Sequence, residues 1–137
     1  MKKYAVIGNP VSHSISPKIH AQFSEEFGLS ISYEKILSPL EKFTNTVKDF
    51  SESGGLGFNV TLPFKIHAYN LSKNLTPNAV AAGAVNTVKI EGESMIGENT
   101  DGNGLVNDLL NNLKQPLEGK EILIIGAGGA TQGILKP

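Results

Sequence analysis

The sequence predicts an α/β fold in which a mostly parallel sheet is sandwiched by helices. Short apolar runs of strand length, such as Lys3 to Gly8, alternate with segments whose apolar residues recur at helical spacing. The elements follow one another as β-α-β-α-β-α, an order that favours parallel neighbours joined by helical crossovers. Gly, Pro and Asn punctuate the joins, as at Asn9-Pro10 and Gly54-Gly55.

Composition sets the outer bounds. The chain has 137 residues, of which 39% are hydrophobic and 18% charged, a balance that fits a packed globular domain rather than a disordered segment. Its formal net charge of -1 offers nothing to a nucleic acid or an anionic membrane, so neither is expected as a partner. All 12 basic residues are lysine. An anionic ligand must then be held by ammonium groups, hydroxyls or backbone N–H groups, without a bidentate guanidinium. There is no cysteine, which excludes disulfides, thiolate catalysis and cysteine-type zinc sites. His13, His20 and His67 lack metal-ligand spacing, and no metal is expected. The chain opens directly into an apolar strand, with neither a signal-peptide pattern nor a membrane-length run, so a cytoplasmic soluble protein is the expectation.

Lys3 to Gly8 reads as the first, buried strand, broken by Asn9-Pro10. The loop from Val11 to Pro17 carries Ser12, Ser14 and Ser16. Ser16 suits an N-cap with Pro17 in the first turn, and Ile19, Phe23 and Phe27 form one apolar face of the helix that follows. The serines read either as a capped loop or as an anion site, in which hydroxyls and free N–H groups at a helix start receive a carboxylate. Ile31 to Leu37 is a second strand. Pro39 and Glu41 open a second helix with Phe43, Val47 and Phe50 as its core stripe, closed by Ser53-Gly54-Gly55.

The run from Gly57 to Lys65 begins as a strand and ends as a helix. Phe58, Val60 and Leu62 alternate with Asn59, Thr61 and Pro63, and Pro63 ends the strand. Asn59, Thr61 and Lys65 thus gather at one strand end, where open α/β sheets bind ligands. An amide, a hydroxyl and an ammonium there could hold a polyol and move a proton. As an ordinary turn the same residues would leave Thr61 as a cap and Lys65 in solvent.

The third helix continues through His67 to Leu71, and Thr76-Pro77-Asn78 breaks the chain before a small helical turn at Ala79 to Ala84. Asn86 to Ile90 is strand-like, and Gly92 turns it back onto Ser94 to Gly97 as a hairpin. Glu98 to Gly102 is a polar corner before a helix with Leu105, Leu109, Leu110 and Leu113 on one face. Asp101 is placed to cap that helix, and a functional Asp101 could do this as well.

Lys120 to Ile125 reads as a buried strand running into Gly126-Ala127-Gly128-Gly129-Ala130-Thr131. This is the opening of a dinucleotide-binding βαβ unit: Gly126 permits the turn and Gly128 lets backbone approach a pyrophosphate. Nine residues follow Gly128, fewer than such a unit needs, so a piece of a longer chain is expected.

Five ordered motifs together resemble one family. Ser14-Ile15-Ser16-Pro17, Asn59 to Lys65, Ala84-Val85-Asn86-Thr87, Asn99-Thr100-Asp101-Gly102 and Gly126 to Ala130 look like shikimate dehydrogenase, over about Tyr4 to Gly133. The resemblance implies NADPH-dependent reduction of 3-dehydroshikimate to shikimate in aromatic amino-acid biosynthesis. It also implies a substrate domain at 1–101, then a linking helix and the truncated start of an NADP-binding Rossmann domain at 102–137.

Carried over residue by residue, Ser14 and Ser16 would bind the substrate carboxylate, and Asn59, Thr61, Asn86 and Asp101 the ring hydroxyls. Lys65 and Asp101 would be the catalytic pair, and Gly126, Ala127, Gly128, Gly129 and Ala130 would hold the cofactor pyrophosphate. Reducing a ketone needs a hydride on carbon and a proton on the developing alkoxide, which an ammonium at that oxygen can stabilise and supply. The motifs leave open which of Lys65 and Asp101 handles the proton.

Gln132 stands where the family commonly has Arg, and the basic motif that separates NADP from NAD has no counterpart in this sequence. The isolated piece is therefore expected to hold NADP poorly and to be inactive, or nearly so, alone. The same motifs tolerate a quinate/shikimate dehydrogenase paralogue. A different class of reading is a non-catalytic binding domain that self-associates through apolar surface.

Overall fold

The computed structural model describes residues 1–135. Six strands form one mixed sheet in the order β2-β1-β3-β5-β6-β4. They are β1 (Lys2–Gly8), β2 (Ile31–Leu37), β3 (Gly55–Val60), β4 (Asn74–Leu75), β5 (Thr87–Glu91) and β6 (Ser94–Glu98). β1 pairs in parallel with both β2 and β3. The expected hairpin is β5 and β6, joined through Gly92 at φ 60°, and β5 runs antiparallel to β3 as well. The two-residue β4, parallel to β6, lies just ahead of the break at Thr76 and has no counterpart in the sequence reading.

One face of the sheet carries the core. Ala5, Ile7, Phe58, Val60, Val88 and Ile90 meet Phe43, Val47 and Phe50 of α2 (Phe43–Glu52) and Ala68 of α3 (Lys65–Leu71). All three residues of the expected α2 stripe are buried. Phe64, fully buried ahead of α3, stacks on Phe43 with ring centroids 4.7 Å apart. Burying aromatic area of this kind is the largest hydrophobic contribution a small domain can draw on.

The other face is only partly covered. α1 (Ser16–Glu26) has no buried residue, and the face read as apolar stays open, with Phe23 46% and Phe27 64% exposed. Those rings line an apolar groove with Tyr4, Leu29, Leu56 and Val88. The spacing specifies an apolar helix face but not a partner deep enough to bury it.

Several local expectations are corrected. Ser16 is the first helical residue of α1 rather than its cap, and the cap position, Ile15, makes no side-chain bond. Asp101 opens α5 (Asp101–Asn107) without capping it, because its carboxylate is engaged elsewhere. The break at Thr76 is a helix cap: Thr76 accepts from the Ala79 N–H at the start of α4 (Pro77–Ala82). The linking helix is α5 followed by a wide helical turn at Asp108–Asn112, and Leu105, Leu110 and Leu113 remain exposed.

The largest correction concerns 120–125. It has no regular secondary structure and pairs with no strand among the described residues, and Leu123 and Ile125 are 84% and 91% exposed. A strand needs a neighbour to satisfy its N–H and C=O groups. The glycine-rich turn does lead into a helix, α6 (Gly129–Ile134), which packs on α3, α4 and α5.

Candidate functional site

The sheet's backbone positions the site. Thr61 N–H donates to the Ile7 carbonyl, fixing the end of β3 beside β1. The Val60 N–H donates to the Asn86 carbonyl and the Asn86 N–H to the Glu98 carbonyl, so Asn86 is clamped between β3 and β6. Val85 N–H donates to the Lys65 carbonyl, tying the first turn of α3 to the same segment. Each of these bonds satisfies a backbone group and orients the side chain next to it.

A cavity of about 490 Å³ opens where these segments converge. Ser14, Ser16, Asn59, Thr61, Lys65, Asn86 and Asp101, all singled out from the sequence, line it together. Lys65 Nζ donates to Asp101 Oδ2 at 2.5 Å, with side chains only 15% and 24% exposed. Asp101 Oδ1 accepts from Asn86 Nδ2 at 2.8 Å, and the Asp101 N–H donates to Asn99 Oδ1 at 3.0 Å. Both carboxylate oxygens are thus occupied, which fixes the rotamer and holds the ammonium at the cavity wall. At the other end, Ser14 Oγ donates to Ser16 Oγ at 3.1 Å, and the Ser16 N–H donates to Ser14 Oγ. The two hydroxyls form a neutral donor cluster suited to a carboxylate in a chain without arginine.

Sequence reasoning overlooks three contributors. Asn99, 3% exposed, donates to the Ala84 carbonyl while accepting from Asp101. It stands in one of the motifs, yet the motif assigns it no role. Its signal is its side chain, since a buried amide must spend its hydrogen bonds on structure. Thr87 bridges Asn59 and Asn86. Tyr33, read only as part of a strand, donates to Asn59 Oδ1 at 2.6 Å and stacks on His20 with ring centroids 3.9 Å apart. Burial pushes its hydroxyl up to about 12, with Ser16 pulling the other way.

A second cavity, of about 340 Å³, shares Thr61 and Lys65 with the first and is closed by Gly128, Gly129 and Ala130. Gly126 and Ala127 do not reach it. Gly126 adopts φ 129°, a conformation open essentially to glycine. A Cβ on Gly129 would come within 2.9 Å of Lys65 Cβ, so only glycine lets α6 seat against Lys65. Gly128 has open space around it and no side-chain cap, leaving backbone that fits a phosphate. These residues fit one end of a dinucleotide. Gln132, where the resemblance leads one to expect arginine, is not on this wall, and its Oε1 is buried without a hydrogen-bond partner. Among the described residues no cluster of His, Asp or Glu is placed to hold a metal, and no helix is long and apolar enough to cross a membrane.

A mixed sheet with helices, a polar cavity at its strand ends and a lysine–carboxylate pair on the wall define a substrate-binding α/β domain. Residues 6–88 match the family model described as "Shikimate dehydrogenase substrate binding domain", and the chain belongs to that family. A relative from Ruthia magnifica subsp. Calyptogena magnifica, named shikimate dehydrogenase (NADP(+)), is 56% identical over 137 residues, covering all of this chain and 51% of its own. One from Herminiimonas arsenicoxydans with the same name is 53% identical, covering 98% of this chain and 50% of its own. The shikimate 5-dehydrogenase of Thermus thermophilus, solved in complex with shikimate, superposes with a TM-score of 0.88 at 39% identity, covering 98% and 51% of the two chains. The chain spans about half the length of the curated relatives it matches.

Proposed function

We propose that this chain is the substrate-binding half of a cytoplasmic, NADP-dependent shikimate dehydrogenase, which interconverts 3-dehydroshikimate and shikimate. The observation that carries this reading is the convergence of seven polar side chains on one cavity, with Lys65 shared between it and the glycine-lined cavity. Ser14 and Ser16 receive the substrate carboxylate, and Asn59, Thr61 and Asn86 receive ring hydroxyls. Lys65 stands at the reacting oxygen and stabilises the alkoxide as charge develops, donating the proton that completes the alcohol. Asp101 holds the ammonium in place and, with its remaining lone pairs, accepts from a ring hydroxyl. NADPH supplies the hydride when bound, and Gly128, Gly129 and Ala130 are the residues that would hold its phosphates, with Gly126 and Ala127 forming the turn that leads to them. The relatives' name and the NADP(H)–shikimate complex of the Thermus thermophilus enzyme support the choice of substrate and cofactor.

The test is calorimetric titration of the 137-residue chain with shikimate, beside Ser14→Ala. The reading predicts saturable binding that Ser14→Ala weakens, and equal weak heats for both proteins would refute it. Turnover is a separate matter. The unpaired segment 120–125 leaves the glycine-rich turn without a sheet behind it. The chain alone is therefore expected to oxidise no measurable NADPH with 3-dehydroshikimate. The exposed apolar groove beside α1 is the surface through which the isolated chain would self-associate, which sedimentation equilibrium reads directly.

A further inference from the structure

The polar groups of the site form a chain with one direction. Tyr33 OH donates to Asn59 Oδ1 at 2.6 Å. Asn59 Nδ2 donates to Thr87 Oγ1 at 3.0 Å, and Thr87 Oγ1 donates to Asn86 Oδ1 at 3.0 Å. Asn86 Nδ2 then donates to Asp101 Oδ1, whose partner oxygen receives Lys65. Along this series each donor points toward the Asp101 carboxylate, and Thr100 joins it at Asn86, where its N–H donates to Oδ1 and its Oγ1 accepts from Nδ2. Such a series polarises link by link, each bond strengthening the next.

We propose that Tyr33 is a positioning residue: its hydroxyl heads this donor chain and, through Asn59, Thr87 and Asn86, orients the Asp101 carboxylate against Lys65. The orientation of Asn59 is the step that matters. Its Nδ2 faces the Asn86 carbonyl at 3.4 Å as well as Thr87, so a flipped amide would set two oxygens against each other. The Asn86 carbonyl, which can only accept, selects the unflipped state, and the Tyr33 O–H completes it by supplying the donor that Oδ1 requires. The phenol can hold this post because it stays protonated far above neutral pH, burial having pushed it up to about 12. The ring is itself fixed by its stack on His20, whose Nδ1 lies 2.9 Å from the Ser16 carbonyl. Tyr33 thereby also links the Ser14–Ser16 end of the cavity to the Lys65–Asp101 end.

The ligand part of the test rests on shikimate being the substrate, so a second readout is independent of any ligand. Tyr33→Phe keeps the ring on His20 and removes only the hydroxyl. In the wild-type chain the Asn59 side-chain amide should give two well-separated, slowly exchanging proton resonances; in Tyr33→Phe they should shift and exchange faster. For shikimate, Tyr33→Phe should lower affinity about tenfold, the effect of losing one part-buried hydrogen bond. In an Asn59→Ala background the same substitution should cost less than about twofold, because the two residues act in series. An unchanged Asn59 amide signature in Tyr33→Phe would overturn the proposal, as would a full additive loss in the double variant. A changed amide signature in a chain that binds no shikimate would support the role of Tyr33 while refuting the substrate assignment.

Discussion

Lys65 and Asp101, 36 residues apart in sequence, meet at 2.5 Å where the first turn of α3 faces the first turn of α5. Neither helix is long, and neither would hold its first residue rigidly by itself. The pair is fixed instead by what surrounds it, namely Asn86 and Asn99 on the carboxylate side and the Val85 bond behind Lys65. Asp101→Asn should leave the ammonium mostly buried beside a neutral amide and lower stability by about 2 kcal/mol, because charge-assisted bonds contribute about twice as much as neutral ones. Urea unfolding of the two chains measures this, and an unchanged midpoint would show that the pair is solvent-screened.

Asn99→Ala should destabilise by about 1–3 kcal/mol, since it leaves the Ala84 carbonyl and the Asp101 N–H without their buried partner. The distinguishing outcome is a paired loss of stability and of shikimate affinity. A stability loss with full affinity would mean that Asp101 keeps its position without Asn99.

Phe64→Ala should cost about 3–5 kcal/mol, the range for emptying a buried aromatic site. Phe64 is wholly inaccessible and stacked on Phe43, so its removal opens a void inside the core. Against the roughly 5–15 kcal/mol of an ordinary domain, this substitution should leave a chain that is largely unfolded well below the wild-type melting temperature. Thermal unfolding followed by circular dichroism reads the difference.

Tyr33 predicts the alkaline limit of stability. Its hydroxyl is raised from 10.0 to about 12 by burial, so the folded state favours the neutral form. That contribution is complete below pH 10.0 and is lost as pH climbs through about 12. Wild type should therefore lose stability over this window more steeply than Tyr33→Phe. Parallel pH profiles for the two chains would contradict the burial of the phenol.

Much of this is legible in the sequence, and the failures have physical causes. The α2 stripe of Phe43, Val47 and Phe50 and the alternation of Phe58 and Val60 specify a buried face because one period fits one element. That seven polar residues line one cavity is legible because ordered motifs place them at loop ends next to strands. The stripe of Ile19, Phe23 and Phe27 marks one apolar helix face, but periodicity does not report the depth of what lies beneath it, and the face stays open. The segment 120–125 misleads because strand propensity needs a neighbouring strand to be realised. Tyr33 is invisible because its role depends on β2 lying beside β1, a register no local pattern encodes.

The measurement that tests the central claim most directly is a shikimate titration of the nitrogen-labelled chain followed by NMR. Amide shifts should saturate and cluster at Ser14, Ser16, Asn59, Thr61 and Asn86, with Lys65 and Asp101 among them. Shifts centred instead on the apolar groove at Phe23, Phe27, Leu29 and Leu56, or no shifts at saturating shikimate, would contradict the assignment of this cavity as the substrate site.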